Sequence, residues 1–99
     1  MQKVLAQLLK FRHDRNWERF HTPQAIVHSI VLESAELLEI FQWKNSDDSL
    51  SDQEKEHLSQ EMADIYNWLI LLAHDLEIDL NQAALNKIKL NIKKYPLPQ

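Results

Sequence analysis

"SDQEKEHLSQEMADIYNWLILLAHDLEIDL" (residues 51–80) is the stretch on which the fold turns. Ser51 followed three residues later by Glu54 is the pattern of a reciprocal helix cap. Leu58, Met62, Ile65, Leu69, Leu72 and Leu76 then recur at spacings of four and three, the period of a helix-packing seam. The pattern predicts one helix of roughly 26 residues, about 39 Å long at about 1.5 Å per residue. A compact chain of this length has a radius of gyration of only about 13 Å. Such a helix overhangs a monomeric globule, and a partner subunit would cover the overhang.

Working outward, the same signals recur. Asp79 and Gln82 make a second capping pattern for a last helix that ends before Pro96. Upstream, Thr22 caps a helix with Pro23 in its first turn, a favourable start. That helix is expected to reach about Gln42, where the polar loop "KNSDDSL" (44–50) ends it. A first helix is expected from about Gln2 to Arg15, joined to the second by "NWERFH" (16–21). The chain contains no Gly, which the primed turns of tight hairpins require, and shows no sustained alternation of apolar and polar residues. The expectation is an all-α fold: one domain over residues 1–99, a four-helix subunit that joins others in an oligomeric bundle.

Bulk composition narrows the function. A formal net charge of −4 lacks the basic footprint of a nucleic-acid-binding protein. It leaves open a nucleotide held through a metal ion. With 44% hydrophobic residues and three Trp, the chain carries more apolar material than a small monomer easily hides. Cys is absent, so disulfide and thiol chemistry are excluded. No signal-peptide pattern opens the chain and no apolar run approaches the roughly 20 residues that span a bilayer. The expectation is a cytoplasmic protein with no membrane or nucleic-acid partner.

Acidic residues then stand out. On the second helix, Ile26, Ser29, Glu33, Glu36, Ile40 and Trp43 lie along one stripe. On the third, Glu61, Asp64, Trp68 and Leu71 do the same, beside the leucine seam. Each helix thus presents two carboxylates followed by a Trp. Packed together they would place four carboxylates beside an aromatic wall. Like charges at close range raise one another's pKa, and a hard divalent cation relieves the repulsion. Mg²⁺ takes oxygen ligands and keeps positions for water or substrate phosphates. Such a site suits phosphoryl chemistry, and the Trp rings offer stacking surfaces for a flat base. The competing reading is two solvated acid pairs, a common feature of helix surfaces. Glu39, further round the helix, faces solvent in either reading.

Other groups carry less. "EKEH" (54–57) matches the Glu-x-x-His element of di-iron bundles, but those need it twice and this chain has one copy. Lys87, Asn91 and Lys94 share a stripe of the last helix and could meet phosphates, or simply water. His21 stands among Trp17 and Phe20. There is no Gly-rich phosphate loop.

These residues resemble the MazG-like, all-α nucleoside triphosphate pyrophosphohydrolases, and within them the small dCTP pyrophosphatase-like branch. The resemblance rests on "FRHDRNWERFHTP" (11–23), "ESAELLEIFQW" (33–43), "EMADIYNWLILLAHDLEIDL" (61–80) and "NIKKYP" (91–96), in that order over most of the chain. The family's paired motif, Glu-x-x-Glu then Glu-x-x-Asp, is matched by Glu33, Glu36, Glu61 and Asp64. The resemblance implies an oligomer with metal-binding helices at its centre. It implies Mg²⁺-dependent cleavage between the α and β phosphates of a nucleotide, giving a monophosphate and pyrophosphate. By position, Glu33, Glu36, Glu61 and Asp64 would bind Mg²⁺ and carry catalysis. Trp17, His21 and Trp43 would line the nucleotide pocket, and Lys87, Asn91 and Lys94 would help hold substrate. Where relatives often have Tyr four residues after the motif Asp, this chain has Trp68, which bears on the base preference.

The resulting expectation is a house-cleaning enzyme for (d)NTPs, dCTP-like pyrimidines first. Two rivals stand beside it. One is a non-catalytic helical oligomer with solvated or structural acids. The other is a related hydrolase of a phosphoribosyl diphosphate-type substrate, which the aromatic residues disfavour.

Overall fold

The structure, a computed structural model, describes residues 2–45 and 47–98; Ser46, inside the expected polar loop, lies outside the described residues. Four α-helices run in order: α1 (Gln2–Asp14), α2 (Pro23–Glu39), α3 (Asp52–Asp75) and α4 (Leu80–Lys94), with a short 3₁₀ turn at Glu18–Phe20. There is no strand among the described residues.

The starts follow the capping chemistry. The Thr22 hydroxyl accepts from Ala25 N–H at 3.2 Å, with Pro23 at the first helical position. At α3 the cap is reciprocal: Ser51 Oγ accepts from Glu54 N–H at 3.1 Å, and Glu54 Oε1 accepts from Ser51 N–H at 2.8 Å. Each bond satisfies a donor that a helix start leaves orphaned. At α4 only half of the expected box forms. Asp79 accepts from Gln82 N–H at 3.0 Å, but the Gln82 side chain turns forward to Asn86.

The ends carry the differences. α2 stops at Glu39, short of Gln42, because residues after it close i→i−3 bonds, Phe41 N–H to Leu38 O and Gln42 N–H to Glu39 O. α1 and α3 both end on a left-handed residue, Asn16 (φ 58°) and Glu77 (φ 56°). In each case the next amide reaches back five residues, Trp17 N–H to Arg12 O and Ile78 N–H to Ala73 O. That is the wrapped helix end usually built with Gly, achieved here without it.

α2 and α1 both pack on α3, which is the central element. The buried apolar set is small: Ile26, Ile70, Leu71 and Ala73. The leucine seam expected to be the packing face of α3 is not the face this chain buries. Met62 and Leu76 are 55% and 48% exposed, whereas Glu61, Ile70, Leu71 and Ala73 are buried. The face turned inward is the one that carries the acids. Among the described residues α4 makes no extensive contact with another helix of its own chain, and apart from Leu80 and Asn91 its residues are exposed.

This leaves an open molecule. Its radius of gyration is 16.8 Å, against about 13 Å for a compact chain of this length. Its surface of 8344 Å² exceeds the roughly 5,900 Å² of a compact monomer of this mass by about 2,400 Å². Among the described residues no helix is long and apolar enough to cross a membrane.

Candidate functional site

The packing of α2 on α3 brings the two acid pairs face to face. Glu33 comes from the middle of α2; Glu61 and Asp64 lie one turn apart on α3. Carboxylate oxygens of Glu33, Glu61 and Asp64 all lie within 4.8 Å of one another. Glu61 is buried, Glu33 half-buried, Asp64 exposed at the mouth. Glu36 is exposed beside them, and its carboxyl is held above the ordinary range chiefly by hydrogen bonding with Glu61. Glu39 is exposed, as expected.

Electrostatics show what it costs to gather these groups. Burial, then a proton shared with Glu61 and the charges of Asp64 and Glu36, push the Glu33 carboxyl up to about 7. Glu61 moves the other way, held below its usual range because Glu33 donates to it. The opposite directions are those of two carboxyls sharing one proton, and the group titrates as a unit. Glu33 Oε2 and Glu61 Oε2 are buried and have no hydrogen-bond partner. Buried oxygens of this kind are normally satisfied. An all-oxygen donor set with orphaned buried atoms is what a hard divalent cation takes.

The acids stand at one side of a cavity of about 510 Å³. Glu33, Asp64, Trp17, His21 and Trp68 all line it. The rings form a chain of edge-to-face contacts: Phe11 to Trp17 at 5.6 Å, Trp17 to His21 at 6.1 Å, His21 to Trp68 at 5.1 Å. Burial and then the nearby Arg12 charge push the His21 pKa down, favouring the neutral imidazole. A larger hollow, about 670 Å³, lies between the start of α1 and the α3–α4 turn. Two of its acids are already engaged, Asp75 with Arg12 and Asp79 in capping α4, so the chemistry belongs to the smaller cavity.

Some expected residues do not reach this cavity. Trp43 is 89% exposed in the turn after α2. Lys87, Asn91 and Lys94 lie on the unpacked α4, and none of them lines the cavity. His57 of "EKEH" approaches Glu61, Nε2 to Oε1 at 3.4 Å, while Glu54 is taken up by Ser51 and by Lys44 at 3.0 Å. The two therefore do not act as a ligand pair.

Other lining residues went unread in the sequence. Arg12, Gln7 and Asn67 face the cavity. Asn67 sits three residues after Asp64, so the same stripe that points to Trp68 could have pointed to it. Arg12 gives no local sign. Its partner is Asp75, 63 residues on.

Comparison with known proteins accords with this geometry. A family model described as the MazG-like family matches residues 28–99. The chain is 37% identical over 92 residues to dCTP pyrophosphatase 1 of Bos taurus, covering 89% of this chain and 54% of that protein. It is 35% identical over 91 residues to dCTP pyrophosphatase 1 of Homo sapiens, covering 88% and 54%. The chain thus spans about half the length of the curated relatives it matches. A crystal structure of a pyrophosphatase from Archaeoglobus fulgidus is 38% identical, with a TM-score of 0.86 over 98% of this chain and 93% of that one.

Proposed function

The chain belongs to the MazG-like family, and from that premise we propose that it is a Mg²⁺-dependent nucleoside triphosphate pyrophosphohydrolase. The substrate is a (d)NTP, dCTP-like first, cleaved between the α and β phosphates to a monophosphate and pyrophosphate in the cytoplasmic nucleotide pool. The observation that carries this reading is the single cavity shared by Glu33, Asp64, Trp17, His21 and Trp68. It joins an oxygen-only metal site to an aromatic box, which is what a metal-bound polyphosphate attached to a flat base requires.

Each group has a task. Glu33, Glu36, Glu61 and Asp64 would hold Mg²⁺, which would supply charge neutralisation for phosphate and a more acidic water. Trp17, His21 and Trp68 exclude water and seat the base. The rest of the substrate-binding set is supplied through assembly. The exposed Trp43, the bare α4 and the open seam on α3 are covered by further copies of this chain, as a dimer or tetramer. A stable interface removes about 800 Å² from each partner, and this chain carries roughly three times that in excess surface. On this reading Trp43, Lys87, Asn91 and Lys94 complete a pocket once subunits meet. The single domain is the catalytic unit.

The test is a panel of dNTPs and NTPs with Mg²⁺ and product identification. Monophosphate plus pyrophosphate is the expected outcome; diphosphate plus phosphate, or no hydrolysis, refutes the reading. Asp64→Asn should abolish turnover and also the Mg²⁺-dependent rise in melting temperature that ligand linkage predicts.

A further inference from the structure

The aromatic cavity contains one residue that is both cationic and buried. Arg12 is 8% exposed. Its Nη1 and Nη2 donate separately to the two carboxylate oxygens of Asp75, at 2.8 and 2.9 Å. These bonds tie α1 to the end of α3, between residues 63 apart in the chain. A bidentate fork fixes the guanidinium plane, so the direction of Nε–H, on the one guanidinium nitrogen without a partner, is fixed as well. That nitrogen is buried and has no acceptor. The Nδ1 of His21, lining the same cavity, is also buried without a partner. The backbone joins the two features, since Arg12 O accepts from Trp17 N–H at 3.0 Å.

An unpaired buried donor is destabilising, and more so when charged. A ligand that supplies an acceptor removes that cost. A phosphate is the wrong ligand here. It would seek the end-on Nη pair and the full positive charge, and the Asp75 carboxylate already occupies that pair and offsets the charge. A single, rigid, directional N–H suits a neutral acceptor on a heterocycle.

Resting on the pyrophosphohydrolase reading, we propose that Arg12 is a specificity-determining residue. Its Nε–H donates to a carbonyl oxygen or ring nitrogen on the edge of a pyrimidine seated against His21 and Trp68. Asp75 is the positioning residue that aims it. Selectivity by this means is strong, because a base without the acceptor leaves the buried donor unpaired.

The decisive comparison uses the unmodified protein with Mg²⁺ and three triphosphates: dCTP, its 3-deaza analogue (N3 replaced by C–H), and the analogue lacking the C2 carbonyl oxygen. One analogue should lose about tenfold or more in kcat/KM, mostly through KM. A second arm uses Arg12→Met with Asp75→Leu, an apolar replacement of the whole pair of the kind that often leaves stability intact. This double variant should raise KM for dCTP and stop distinguishing the analogues. Equal kcat/KM for all three substrates in the wild type overturns the inference, as does undiminished discrimination in the double variant. The analogue arm needs no substitution, so equal rates there overturn the inference even where the double variant does not fold, and Arg12→Lys, which keeps the charge but lacks Nε–H, then serves as the second variant and should likewise stop distinguishing the analogues. Failure to hydrolyse any nucleotide refutes the underlying reading instead, and this inference with it.

Discussion

Glu33→Gln should stabilise the metal-free protein at neutral pH while disabling its site. In the folded chain the Glu33 carboxyl titrates near 7, against an ordinary value of 4.5. Between those values the native state keeps a proton that the unfolded chain has released. Stability is therefore fully present below about pH 4.5 and declines as pH rises through about 7. The difference corresponds to about 3 kcal/mol, at about 1.36 kcal/mol per unit. Solvent reaching a half-buried side chain screens part of this, so a loss of about 2–3 kcal/mol is expected. Glutamine cannot ionise, and its amide can still donate to Glu61. The variant should thus show little dependence on pH across this window and exceed the wild type by about 2–3 kcal/mol near pH 8. The assay is guanidinium denaturation with chelator, over a pH series at one protein concentration, because assembly also contributes to stability. Wild-type and variant curves that run parallel from about pH 5 to about pH 8 would refute the shared-proton account of the cluster.

Three further expectations follow from named contacts. Light scattering at micromolar concentration should give at least a dimer mass, and a monomer mass would contradict the assembly proposed from the open surface. Ser51→Ala removes the acceptor for Glu54 N–H and should cost about 1 kcal/mol, read as a lower denaturation midpoint with unchanged slope. Trp68→Tyr alters a ring that lines the cavity 5.1 Å from His21. It should change the ratio of kcat/KM between nucleotides; an unaltered ranking with a stability loss of roughly 1–3 kcal/mol would make Trp68 a packing residue only.

How much was legible in the sequence depended on how local the cause was. Caps are settled within four residues, so the starts of α2, α3 and α4 fell where Thr22, Ser51 and Asp79 place them. Helical period put Glu61 and Asp64 on one face, and two such faces sufficed to foresee the acid cluster. The leucine seam misled because period shows that a face is apolar, not which partner covers it. Glu61 and Leu71 are turned inward while Met62 looks out. Arg12 stayed invisible because its role depends on Asp75, and no short pattern links residues 63 apart. The early end of α2 was hidden for another reason: "EIFQW" (39–43) carries no Gly or Pro to announce it.

α4 has one more consequence. It is a helix of 15 residues that, among the described residues, makes no extensive contact with the other helices of its own chain. Isolated helices shorter than about 12–15 residues are marginal in water, since nucleation is costly and packing supplies most of the stability. Within the chain it has its Asp79 cap, the Gln82–Asn86 bond and the cations of its last turn. On the assembly proposed above, the order of this segment is borrowed from a neighbour, so secondary structure and concentration become linked variables. Dilution would then fray α4 first, and Lys87, Asn91 and Lys94 would lose their register together before the capped ends of α2 and α3 respond.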